Sequence, residues 1–102
     1  MNYPAHDPQL PVVAFDYDGV IADNTWPSPH LGKLCLKARD AMWHYFDLDC
    51  EVIVFTARPD EHLPLIRKWL DAHGLGGTVY EVTNRKPRAS LYFDDRAVKW
   101  PL

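Results

Sequence analysis

Cysteine is scarce in this 102-residue chain: Cys35 and Cys50 are the only two, and they form no CxxC pair. With no secretory signal either, both are expected as reduced thiols in a cytoplasmic setting, though a bond between them is not forbidden. Positive charge is not in excess: 11 Lys and Arg against 14 Asp and Glu give a net charge of -3. That excludes a sequence-blind nucleic-acid binder with a basic face, while leaving room for a local basic patch. No apolar run approaches the ~18 residues that span a bilayer, so no membrane partner is expected. The opening "MNYPAHDPQLP" lacks the basic-then-apolar order of a leader and reads as a loose arm over residues 1–10. Repeats and low-complexity tracts are also missing. The five histidines show no metal-ligand spacing.

What remains is enough for one small domain, residues 11–102, with 47% apolar residues to supply its core. "PVVAFD", 11–16, is a continuous apolar run of the kind that forms a strand covered on both faces. "EVIVFT", 51–56, "GTVYEV", 77–82, and "SLYF", 90–93, read as three further strands. Between the first two, Leu31, Leu34, Ala38, Met42, Tyr45 and Phe46 recur at helical spacing, predicting a helix from about His30 to Phe46. A second helix is predicted from Pro59 to about His73, with Leu63, Ile66 and Leu70 inward and Gly74 closing it. Residues 19–29 hold Gly19, Asn24, Pro27 and Pro29, which suits a short flap rather than a helix. Strands separated by helices imply parallel crossovers: a three-layer, Rossmann-like α/β core with a small, mostly parallel sheet of about four strands.

In such sheets ligands gather at the carboxyl ends of the strands. Asp16, Thr56 and Asp94 each follow an apolar run directly, so all three are expected at one edge. Asp18 and Asp95 lie beside them, and Lys86 sits in the loop "TNRKPR". Two unit charges ~4 Å apart repel by roughly 4 kcal/mol at an effective dielectric of 20. Four carboxylates in one crevice therefore call for a cation, and an all-oxygen set favours Mg²⁺. A hydroxyl at Thr56 and an ammonium at Lys86 would suit the oxygens of a phosphoryl group. A calcium loop is excluded: the EF-hand pattern beginning at Asp16 needs a Glu at its twelfth position, which is Pro27.

"VVAFDYDGVIAD" resembles the first motif of the haloacid dehalogenase (HAD) superfamily of phosphohydrolases, an apolar strand running into DxDG. "VIVFTAR" resembles the second, Lys86 in "NRKP" the third, and "LYFDD" the acidic fourth. All four occur in order across residues 12–95. The resemblance implies a Mg²⁺-dependent phosphatase. Asp16 would attack phosphorus to form an aspartyl-phosphate, and Asp18 would act as general acid and then base. Asp16, the backbone carbonyl of Asp18 and Asp94 would hold Mg²⁺, with Asp95 reaching it through water or orienting Lys86. Thr56 and Lys86 would grip the phosphoryl group. An isolated Asp titrates near ~3.9, so the sequence leaves open how Asp18 would keep a proton to give.

Relatives in that superfamily usually carry a cap domain. Only about thirty residues separate Asp18 from the second strand here, so the chain reads as a minimal, capless member. An open site suits a large substrate, or one covered by a second copy in a homo-oligomer. Arg58, Arg85 and Arg88 are candidates for a second phosphate, which points to a nucleotide or a polynucleotide end as the phosphorylated partner. Trp26 in the flap either covers the substrate or anchors the flap. A non-catalytic module that binds Mg²⁺ and phosphate is the alternative function.

Overall fold

The structure, a computed structural model, describes residues 3, 4 and 6–94. Four strands form one sheet: β1 (Val12–Asp16), β2 (Glu51–Phe55), β3 (Val79–Thr83) and β4 (Leu91–Phe93). Their order is β3-β2-β1-β4 and every pairing is parallel. β1 is central, held by β2 from Val12↔Glu51 to Asp16↔Phe55 and by β4 from Val13↔Leu91 to Phe15↔Phe93. Hydrogen-bonded on both edges and covered on both faces, it needs the uninterrupted apolar run that the sequence supplies.

Helices α1 (Leu36–Asp47) and α2 (Leu63–Ala72) make the two crossovers. Both step in the same direction across the sheet, so right-handed connections place them on the same face. Ala38 and Met42 of α1, with Ile66 and Leu70 of α2, join Val13, Phe15, Val52 and Val54 in one apolar cluster. Ala14 and Ile53 face the other way, buried but outside that cluster. The expected third layer has no helix among the described residues. β4 is reached through residues 84–90, which carry Pro87 and form none.

α1 begins at Leu36 rather than at His30. Residues 33–35 are spent on the flap: Asp23 N–H donates to Lys33 O (3.0 Å) and Cys35 N–H to Ile21 O (2.8 Å). Gly32 makes that return possible at φ +79, where a Cβ would lie 2.6 Å from the Asp23 carbonyl oxygen. Leu31 and Leu34 therefore pack on the core from the flap, not from the helix. A short 3-10 turn, Asp60–His62, leads into α2, and another, Gly76–Thr78, into β3.

The N-terminal arm is not loose where it is described. Glu51, with its side chain 3% exposed, meets His6 Nδ1 at 2.9 Å and accepts from Asp7 N–H at 2.9 Å. A buried carboxylate requires such partners. Tyr3 O–H donates to Asp71 of α2 (2.7 Å), and the Arg67 guanidinium stacks 3.9 Å from the Tyr3 ring. Both cysteines are free, and no helix among the described residues is long and apolar enough to cross a membrane.

Candidate active site

At the carboxyl edge of the sheet lies a cavity of about 300 Å³ lined by Asp16, Tyr17, Asp18, Asn24, Trp26, Phe55, Thr56 and Ala57. β1 delivers Asp16 there as its last residue, and β2 delivers Thr56 one residue beyond its end. Of the expected site residues, Asp16, Asp18, Thr56 and Trp26 share this space. Arg85 and Arg88 are exposed and outside the lining, and Asp95 lies outside the described residues.

Asp16 is oriented by a residue that the motifs did not flag. Tyr92 O–H donates to Asp16 Oδ1 at 2.9 Å. Burial foremost, then this hydrogen bond and the charges of Asp16 and Asp94, raise the Tyr92 phenol far above its ordinary value, so it donates as a neutral group. Phe55 packs 6.2 Å from its ring centroid, and Lys86 Nζ sits 4.9 Å from the same ring. Lys86 thus borders the Asp16–Tyr92 pair rather than the cavity lining. Period two explains the contact: Tyr92 pairs with Ala14, and Asp16 is the next β1 residue on that face. Knowledge of strand order would have exposed it; spacing along the chain could not.

Asp18 is paired with Arg58. Arg58 Nε donates to Oδ2 at 3.0 Å and Nη2 to Oδ1 at 2.8 Å, a bidentate ion pair with the guanidinium fully buried. Its other donations reach the flap: Thr25 Oγ1 (3.1 Å), Ser28 O (3.3 Å) and His30 O (2.8 Å). Hydrogen bonding to Asp18 raises the Arg58 pKa against the opposing pull of burial. Arg58, read from sequence as an open ligand for a second phosphate, is instead the post around which the flap is wound. The other ties are Tyr17 O–H to Leu31 O and Thr25 O–H to His30 O. Trp26 leans on the same post, 5.1 Å from the guanidinium carbon and edge-on to His62 at 5.5 Å. It is anchored, and its remaining 37% exposure is beside the cavity.

Thr56, 2% exposed, accepts from Arg58 N–H at 3.1 Å through Oγ1, which leaves its hydroxyl hydrogen to donate elsewhere. Asn84 Nδ2 ties the end of β3 to this turn, donating to Asp60 Oδ1 (2.7 Å) and Arg58 O (3.2 Å).

Among the described residues, no three His, Cys, Asp or Glu side chains are grouped to hold a metal. Two carboxylates leave the sheet at the same level: Phe15 pairs with Phe93, so Asp16, the last residue of β1, and Asp94, one residue beyond β4, follow paired positions, and the charges of both raise the Tyr92 phenol. One or two carboxylates with water and substrate oxygens are a sufficient donor set for Mg²⁺. With the Asp18 side chain engaged by Arg58, residue 18 could add only its backbone carbonyl.

No family model and no curated protein matches the chain. A solved structure, that of a conserved protein from Bacteroides thetaiotaomicron, is similar to it: TM-score 0.72 and 25% identity over 88% of this chain and 79% of that one. The likeness bears on the fold and brings no activity with it.

Proposed function

We propose that this chain is a Mg²⁺-dependent phosphohydrolase on a capless HAD-like core, with Asp16 as the nucleophile toward phosphorus. One observation supports this above the rest. Asp16 ends the central strand, opens into a cavity beside the Thr56 hydroxyl, and has its carboxylate oriented by a neutral donor, Tyr92. Orientation of this kind lowers the entropic part of the barrier. Asp16, Asp94 and the Asp18 carbonyl would hold Mg²⁺, which when bound offsets the negative charge of the carboxylates and of the phosphoryl oxygens. Thr56 donates to one phosphoryl oxygen, and Lys86, with Nζ 4.9 Å from the Tyr92 ring, adds positive charge beside the Asp16–Tyr92 pair. The phenyl face of Phe55 and the indole of Trp26 wall the space where the rest of the substrate sits.

The polynucleotide-end expectation loses Arg58 and rests on the exposed Arg85 and Arg88 alone. A small phosphorylated molecule fits the cavity better.

Incubation with an aryl phosphate and Mg²⁺ tests the proposal. Phosphate release is expected, stopped by a chelator and by Asp16→Asn, which should still bind phosphate. Absence of release across aryl phosphates, acyl phosphates and nucleotides would leave a phosphate-binding module in place of an enzyme.

A further inference from the structure

Most polar side chains of the cavity are already engaged. Asp18 accepts from Arg58 through both oxygens, the Tyr17 hydroxyl is given to Leu31 O, and Thr56 serves the phosphoryl group. Asn24 is different. It lines the same cavity, and among the described residues its carboxamide has no hydrogen-bond partner. Its place is nonetheless fixed from both sides: Asp23 N–H donates to Lys33 O at 3.0 Å, and the Thr25 hydroxyl donates to His30 O. A carboxamide offers a donor beside an acceptor, the pattern that reads the edge of a nucleobase.

The walls suit a flat, uncharged ring. Trp26 and Phe55 both line the cavity, and each is held before any substrate arrives. Trp26 has the Arg58 guanidinium at 5.1 Å and His62 at 5.5 Å, and Phe55 has the Tyr92 ring at 6.2 Å. Aromatic surface already in position gives up little freedom when a base stacks on it. Among the described residues no Lys, Arg or His lines the cavity, so a second anionic group would find no counter-charge there. A volume of about 300 Å³ is at the small end for ligand pockets, which suits one nucleoside rather than a chain of them.

Resting on the phosphohydrolase reading, we infer that the substrate is a nucleoside monophosphate, its base stacked against Trp26 and Phe55 and the edge of that base read by Asn24. Asn24 is then the specificity-determining residue of the site. On hydrolysis the bond from phosphorus to the nucleoside oxygen breaks. Water supplies the new oxygen on phosphorus, and its protons end on the nucleoside hydroxyl and the phosphate.

The test is kcat and KM of the protein with Mg²⁺ on the 5′-monophosphates of the common nucleosides, ribose 5-phosphate, a nucleoside 3′,5′-bisphosphate and an aryl phosphate. Ribose 5-phosphate breaks the same bond without a base. A stacked base is worth about 10-fold or more in binding, so at least one monophosphate should have a KM below that of ribose 5-phosphate by that factor. The added 3′-phosphate should bring no gain. Asn24→Leu, a change at an exposed side chain, should fold and should cut the preferred nucleotide's advantage by about 10-fold. Three results would each overturn the inference while release from the aryl phosphate keeps the phosphohydrolase standing: ribose 5-phosphate level with every nucleotide, a bisphosphate favoured by about 10-fold, or an advantage untouched by Asn24→Leu. No release from any of these compounds would overturn the phosphohydrolase itself, and this inference with it.

Discussion

Arg58→Met would strand the Asp18 carboxylate against an apolar stem and cut the flap from its post. Breaking a buried ion pair by removing one partner costs about 3–5 kcal/mol, a large share of the roughly 5–15 kcal/mol that holds a domain folded. Urea unfolding should therefore show a loss of that order. A loss under ~1 kcal/mol, the worth of an exposed pair, would mean that this arginine is solvated. Sequence gave no hint of its position, because a formula shows charge and not burial. An arginine in "TARPD" reads as a loop residue, and its partner is forty residues away in the chain. Asp16 and Thr56 were legible for the opposite reason. Each is a polar residue placed directly after an apolar run, and the end of a buried strand is where such a residue becomes accessible.

The flap is the element on which the cavity depends, and Gly32 is its tightest point. Gly32→Ala puts a methyl group 2.6 Å from the Asp23 carbonyl at a backbone angle that favours glycine. A non-glycine residue in that conformation costs about 1–3 kcal/mol, and the contact adds to it. The expected outcome is a destabilised protein whose chain from Asp23 to Lys33 loses amide-exchange protection before the sheet does. Equal protection in both proteins would show that the flap is not held by this return. The same glycine explains the misplaced start of α1. Apolar spacing from Leu31 onward fits a helix, but residues 33–35 pair backward with 21–23, a long-range bond that periodicity does not register. α2 was read closely because its apolar face, Ile66 and Leu70, and its closing Gly74 are all local signals.

On the scale of the whole molecule, the parallel sense of the sheet follows from alternating strands and helices, and it was legible, whereas the order of the strands within the sheet is not set by spacing along the chain. The layer count was not legible either, since it depends on how the chain returns from β3 to β4, and residues 84–90 carry no periodicity. Stability should depend on alkaline pH. Burial raises the Tyr17 phenol first of all, and Tyr92 likewise, so both keep their protons in the native state beyond the ordinary range. Below about pH 10, native and unfolded chains both carry these protons and the stability is fully present. Above it the unfolded chain sheds them first, and stability falls as pH rises toward the native values. Urea midpoints should be level from pH 7 to 9 and drop beyond about 10, with tyrosinate absorbance lagging until unfolding. Early, uncoupled ionisation of all five tyrosines would contradict the burial described. The most direct measurement concerns Asp16 itself: acid quench of the protein during turnover of an aryl phosphate with Mg²⁺, then mass analysis of the peptides. A phosphoryl group on the peptide bearing Asp16, and none in Asp16→Asn, is the predicted result. Turnover with that peptide unmodified, or with the adduct on another residue, would contradict it.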